Sequence, residues 1–300
     1  MTLWIPITLA AAFFQTLRFM LQRHLSLGTL SAAGATLARF LYSAPVVAVG
    51  ITVYLLLTGQ PVPKVPGLFW AYAAMGGLAQ ILATVCVVML FKARNFAVGI
   101  TFKKTEVIQA VLVGWVLLGD VVSGWGFAAI GMGLVGVLLL SAPPEMVRWQ
   151  WRELANRSVG LGLASGLLFA ISGVSYRGAS LHLALEDPLA RAGLTLAAVT
   201  AMQTVAMVIW LRVRDPGQVR AVWAARRVGV WVGLMSMAGS FCWFTAFTLQ
   251  NAAYVKAVGQ VELVLSALVS VAVFRETVSA REWAGMAVLL LSILVLVVLI

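Results

Sequence analysis

Residues 95–120, NFAVGITFKKTEVIQAVLVGWVLLGD, contain the feature on which the fold prediction rests. Most of this stretch is apolar and about long enough to cross ~30 Å of hydrocarbon. Yet Lys103, Lys104 and Glu106 lie well inside it. Ionisable residues within a membrane are costly and usually functional. The stretch therefore predicts a transmembrane helix whose charges serve a function.

A second stretch, residues 251–276, repeats this pattern as NAAYVKAVGQVELVLSALVSVAVFRE and aligns with the first without a gap. Glu106 falls on Glu262 and Asp120 falls on Glu276 at the same offset (262 − 106 = 156; 276 − 120 = 156). Two carboxylates at matching places predict an internal duplication. Each half is expected to place one carboxylate near a shared centre.

Composition indicates a membrane protein. Of the 300 residues, 62 % are hydrophobic and 10 % are charged, against roughly 25 % charged in an ordinary globular domain. The formal net charge of +11 would suggest nucleic acid as the partner of a soluble protein. Here the basic residues mostly stand in short loops between apolar spans. We therefore expect membrane lipids around the protein and no nucleic-acid partner.

Ten apolar spans predict an all-α integral membrane fold with ten transmembrane helices. Each half holds five spans, an odd number, so two similar halves must lie inverted relative to each other, as in many secondary transporters. The predicted repeats are residues 1–141 and 159–300, joined by a basic interfacial linker at 142–158. The spans are residues 3–21, 32–57, 68–91, 96–118, 122–141, 159–181, 188–211, 228–249, 254–274 and 282–300.

The basic residues predict the orientation of the chain. Fifteen lysines and arginines, Arg18 and Arg39 among them, are assigned to one side and three to the other. The richer side is expected to face the cytoplasm of a bacterial inner membrane, which leaves both termini outside. The basic connections 143–158 and 212–227 are either interfacial amphipathic helices or plain loops.

Each half ends in a helix, a short turn with an acidic residue, and a helix rich in small residues. The endings are VLVGWVLLGDVVSGWGFAAIGMGLVGVLL and ALVSVAVFRETVSAREWAGMAVLLLSILVLVVL. In this the chain resembles, over essentially its whole length, the ten-helix EamA-type members of the drug/metabolite transporter superfamily. The resemblance implies a central cavity lined by helices 1, 3, 4, 6, 8 and 9, and alternating access by rocking of the two repeats. Members more often keep both termini in the cytoplasm, so the direction of transport stays open, with exporters among the expected classes.

Five charged residues are the leading candidates for substrate contact or ion coupling. Glu262 lies ~12 Å deep in its span, where a lone charge costs on the order of 2.5–3.5 kcal/mol. It is either the proton site of a coupled carrier or a carboxylate neutralised by a lysine. Glu106 and Lys103 stand three apart and can face each other, whereas Lys104 has no local partner. Lys256 either reaches the outer surface or lines the cavity.

Three lysines with two glutamates favour a carboxylate or phosphate on the substrate. Aromatic walls with few polar groups suit a small organic molecule. Trp243, Tyr254 and Gln260 are selected as further site residues from the predicted lining, the first two because they lie near the Glu262 end of the second repeat. The other aromatic and amide residues of the predicted lining are Phe13, Phe14, Gln15, Gln80, Phe102, Gln109, Phe169, Tyr176 and Phe244.

These observations predict a secondary active transporter of small organic metabolites, such as an amino acid, an organic acid or a drug-like molecule. It is expected to be a monomer, not an enzyme, with no cofactor and no metal. Two alternatives remain open: a flippase for a lipid-linked head group, and a membrane enzyme that modifies lipid. Several glycines predict close helix packing and not a nucleotide site, namely Gly131, Gly133, Gly136, Gly162, Gly166, Gly229 and Gly233.

Overall fold

A computed structural model describes residues 3–28, 30–91, 96–141, 157–274 and 279–299. All regular structure in these ranges is helical, as the sequence predicts. Residues 142–156 of the predicted linker lie outside the described residues, and so does Glu276. The helices are α1 (Trp4–Leu27), α2 (Ala32–Thr58), α3 (Gly67–Phe91), α4 (Phe96–Lys103), α5 (Glu106–Leu118), α6 (Gly124–Ser141), α7 (Arg157–Leu181), α8 (Pro188–Arg214), α9 (Pro216–Ala224), α10 (Arg226–Leu249), α11 (Ala252–Gly259), α12 (Val261–Phe274) and α13 (Ala280–Leu299).

Seven of the described helices, not ten, are long and apolar enough to cross a membrane singly: α1, α2, α3, α7, α8, α10 and α13. The shorter apolar helix α6 accounts for the fifth predicted span. The fourth and ninth predicted spans are each divided, into α4 and α5 and into α11 and α12. Hydropathy averaged over a whole span cannot detect such a division, because the helices on both sides of the break are mostly apolar.

The connection at 212–227 contains a helix, α9, so this segment is not a plain loop. Val222 is fully buried, and its carbonyl accepts a hydrogen bond of 2.9 Å from the Tyr42 hydroxyl on α2. Trp223 is 64 % exposed, so α9 has one packed face and one open face. The other connection, 143–158, falls almost entirely outside the described residues.

Glycines set the closest helix crossings, as the sequence predicts. At the contact of α6 with α13, a Cβ on Gly136 would lie 2.7 Å from the backbone N of Leu289 and 2.9 Å from the backbone O of Gly285. Gly162 on α7 likewise meets the backbone of Gly99 on α4. Gly131 departs from this pattern, because a Cβ there meets nothing within 4 Å.

We predict that Gly136→Ala lowers the free energy of unfolding by ~1–3 kcal/mol, because the added methyl group meets backbone atoms that cannot move aside. Gly131→Ala makes the same change on the same helix and is the matched control. There the better helix propensity of alanine, up to ~1 kcal/mol, should leave stability unchanged or higher. SDS-induced unfolding in detergent measures both variants, and equal effects would contradict the packing role of Gly136.

Candidate functional site

The breaks in the two divided helices fall at equivalent positions of the two half-chains. The first helix ends at Lys103 and restarts at Glu106, and the second ends at Gly259 and restarts at Val261. Lys103 and Gly259 are 156 positions apart, and so are the two glutamates. Each glutamate thus lies in the first turn of its restarted helix. The N-terminus of a helix attracts negative charge, so the breaks favour carboxylates at these two places.

Lys104 forms an ion pair with Glu262 that joins the two broken helices. The pair is buried, with side chains 3 % and 11 % exposed. The second carboxylate oxygen of Glu262 accepts a hydrogen bond from the Gln15 amide on α1. The Gln15 carbonyl in turn accepts one of 3.1 Å from the Trp243 indole on α10. Lys104, which has no partner on its own helix, therefore finds one in the other half of the chain.

Glu106 lies between two lysines. Its carboxylate oxygens are each 3.7 Å from a lysine Nζ, one from Lys103 and the other from Lys256. The first contact is the i, i+3 pair that the sequence predicts. The second answers the question left open for Lys256, which is 8 % exposed and turned inward. Both lysines also lie near the ring of Phe169, at 5.2 Å and 5.5 Å from its centroid, within cation–π distance.

Trp243 stands beside this charge cluster, whereas Tyr254 does not take part in it. The Lys256 Nζ is 5.1 Å from the Trp243 ring. The Tyr254 hydroxyl instead accepts a hydrogen bond of 2.9 Å from the backbone N–H of Ser123, near the start of α6. The structure thus brings Trp243 to the charge cluster and Tyr254 to the start of α6, and a role of Tyr254 in the site stays a prediction.

Gln260 lies in the break between α11 and α12 and takes the place of Lys104 in the alignment of the halves (260 − 104 = 156). It is 4 % exposed, and its side-chain oxygen has no hydrogen-bond donor among the described residues. Lys104 and Gln260 both line a small cavity of about 10 Å³. That volume is about enough for one water molecule.

The remaining predicted lining residues divide into separate groups. Phe13 is 49 % exposed and faces away from the interior. Tyr176 donates a hydrogen bond to the Gln80 side chain, stacks on Phe244 at 4.2 Å, and is linked to Gln203. This group ties α3 and α7 to α8 and α10.

Arg18 and Arg39, which the charge count assigned to the cytoplasmic side, are buried inside the bundle. They are 3 % and 4 % exposed. Both positions lie toward helix ends, where a charge count cannot distinguish an arginine that points into the bundle from one that points to water. The part of the chain that the structure describes contains no cluster of three or more His, Cys, Asp or Glu side chains suited to a metal.

Comparisons with known proteins address the second half of the chain and the fold. Residues 156–298 match the family model described as the EamA-like transporter family. A search of curated proteins gave no match. A crystal structure, described only as that of a protein, is similar with a TM-score of 0.70 at 16 % identity, covering 99 % of this chain and 97 % of its own. At this identity the likeness shows a shared fold.

We predict strong coupling between Lys104 and Glu262 in stability. Lys104→Met or Glu262→Gln alone should lower the free energy of unfolding by ~3–5 kcal/mol, because either change leaves a buried charge unpaired. The double variant should recover most of that loss.

SDS-induced unfolding of the four proteins gives the coupling energy. Glu186→Gln, at an exposed carboxylate, is the control and should match the wild type. Simple addition of the two single effects in the double variant would show that the pair contributes nothing as a unit.

Proposed function

We propose that the whole chain is a secondary transporter of small organic molecules, because residues 156–298 match the EamA-like transporter family, within the drug/metabolite transporter superfamily. Its seven long apolar helices make it a multi-pass membrane protein. The observation that carries the proposal is the buried Lys104–Glu262 pair between two broken helices. Discontinuous helices of this kind surround substrate and ion sites in secondary transporters.

The proposed architecture has ten spans in two inverted repeats, residues 1–141 and 159–300. In it α4 with α5 and α11 with α12 each cross the membrane as a broken pair, and α6 crosses alone. Helix contacts support this arrangement. In the two repeats α1 corresponds to α7, α3 to α10 and α6 to α13. The contact of α1 with α10 therefore corresponds to the contact of α7 with α3, and α6 packs against its own counterpart α13.

In the proposed mechanism, a proton and the Lys104 ammonium compete for Glu262. Protonation neutralises the carboxylate and leaves Lys104 free to bind an acid group of the substrate. Loss of the proton restores the ion pair and displaces the substrate. One proton therefore travels with each substrate acid group, while rocking of the repeats exposes the site to each side in turn.

A flippase for a lipid-linked head group is the second candidate. It is favoured by an apolar groove of about 280 Å³ between α2, α8 and α10. Val46 and Gly50 on its rim are exposed, so the groove opens to the outer face of the bundle. A groove of this kind would receive an acyl chain while the head group entered the polar interior.

Transport by purified protein in liposomes tests the proposal across a panel of amino acids, organic acids, organic phosphates and lipid-linked substrates, with and without a pH gradient. We expect water-soluble acids to be carried and the gradient to drive their accumulation. Activity on lipid-linked substrates alone would favour the flippase. No transport of any substrate would overturn the proposal.

Glu262→Gln should abolish gradient-driven uptake and leave substrate exchange measurable, because the variant keeps the site but cannot exchange a proton. Glu186→Gln, at a carboxylate outside the interior, should transport like the wild type. Both variants are compared at equal amounts of monodisperse protein. Gradient-driven uptake at the wild-type rate in Glu262→Gln would remove the coupling role.

The charge bias predicts that the C-terminus lies outside the cytoplasm. A reporter that is active only in the periplasm, fused after Ile300, should therefore give signal in bacterial cells. A reporter that is active only in the cytoplasm, fused at the same place, should be silent. The opposite result would reverse the predicted topology.

A further inference from the structure

Arg39 is a buried cation whose hydrogen-bond partners among the described residues are all neutral. Its guanidinium donates to the Ser236 hydroxyl at 2.8 Å, to Thr84 at 3.0 Å and to Ser240 at 3.3 Å. These hydroxyls belong to α10 and α3, so three helices meet at this side chain. No carboxylate of the described residues lies within ion-pair distance of Arg39.

Arg18 on α1 is in a similar position. It donates a hydrogen bond of 3.1 Å to the Gln22 side chain and lies 4.2 Å from the centroid of the Phe19 ring. No described carboxylate forms an ion pair with it either. Gln22 donates in turn to the Ala35 carbonyl on α2 at 3.1 Å, one turn before Arg39. The Lys103 Nζ lies 5.8 Å from the same Phe19 ring, so the two arginines adjoin the lysine–glutamate cluster.

The described part of the interior therefore holds more cations than carboxylates. Among the residues that the structure describes, five buried cations face two buried carboxylates, an excess of three positive charges (5 − 2 = 3). An uncompensated charge in a low-dielectric interior costs several kcal/mol, and a bound anion would offset this cost. The cations are Arg18, Arg39, Lys103, Lys104 and Lys256, and the carboxylates are Glu106 and Glu262.

The hydroxyls around Arg39 suit an anion. Thr84 already donates its proton to the Gln80 carbonyl at 2.8 Å. Ser236 and Ser240 accept from Arg39 but donate to no acceptor among the described residues, so each keeps one O–H for another partner. They stand four residues apart on α10 and therefore share one face of that helix.

We propose that Arg18 and Arg39, with the hydroxyls of Ser236 and Ser240, form an anion-binding site for a second acid charge of the substrate. The inference rests on the proposed function and narrows its substrate class. Lys104 takes one negative charge and the arginine site takes another. The substrate is then an organic dianion, either a dicarboxylate or a phosphate monoester, since guanidinium groups bind both with matched geometry.

Binding to purified protein in detergent tests the site without transport. The probes are succinate and phenyl phosphate as dianions, propionate as a monoanion, and tetramethylammonium as a cation. Calorimetry should show that at least one of the dianions binds the wild type more tightly than propionate does. Tetramethylammonium should not bind. The better dianion distinguishes a dicarboxylate site from a phosphate site.

Arg39→Gln should weaken dianion binding by about tenfold or more, the effect expected for loss of a charged hydrogen bond. The effect on propionate should be smaller. Arg226→Gln is the matched control, because Arg226 is an exposed arginine at the start of α10, and it should bind like the wild type. Ser236→Ala and Ser240→Ala remove one hydroxyl each and test the same site if Arg39→Gln does not fold.

Unchanged dianion affinity in Arg39→Gln, or in both serine variants, would overturn the site. So would a wild type that binds neither dianion. If the site is overturned in either way, transport of a neutral or singly charged substrate in liposomes would still leave the proposed function intact. Dianion binding without transport of any substrate would support the site and count against the proposed function.

Discussion

The ion pair between Lys104 and Glu262 is the contact on which the interior of this protein depends. A charge deep in an apolar bundle needs a partner or water, and these two residues, from different halves of the chain, are partners for each other. Each lies at a break in a helix, where the restarted N-terminus attracts a carboxylate. The breaks, the position of the glutamates and the contact between halves are therefore parts of one constraint.

Close helix packing makes this arrangement possible. Gly162 and Gly166 on α7 face the backbone of α4 and the Lys103 carbonyl at the first break. At the second break, the Trp243 ring packs directly over Gly259. Any larger residue at these positions would push a neighbouring helix away from the broken segments. Small residues thus let α7 and α10 pack closely against the broken segments, which buries the charges there.

Sequence reasoning reached the class of fold and the main charged residues, because both leave local signals. A run such as Lys103, Lys104 and Glu106 inside an apolar span is visible without coordinates, and so is the repeat at a constant offset. The helix breaks left only a weak signal, the polar run itself and Gly259 before Gln260. The burial of Arg39 and the different direction of Tyr254 left none, since both depend on how a helix is rotated against neighbours distant in the chain.

The two halves of the chain share their carboxylates but not their cations at aligned positions. Glu106 and Glu262 occupy equivalent positions, whereas the equivalent of Lys104 is Gln260 and the equivalent of Lys256 is Ile100 (256 − 156 = 100). Under the proposed inversion, a symmetric scaffold would give the inward-open and outward-open states equal energies. Unequal cations make the field around a bound anion differ between those states. The asymmetry of the lysines therefore supplies a physical reason for a transporter built from similar halves to prefer one direction of opening.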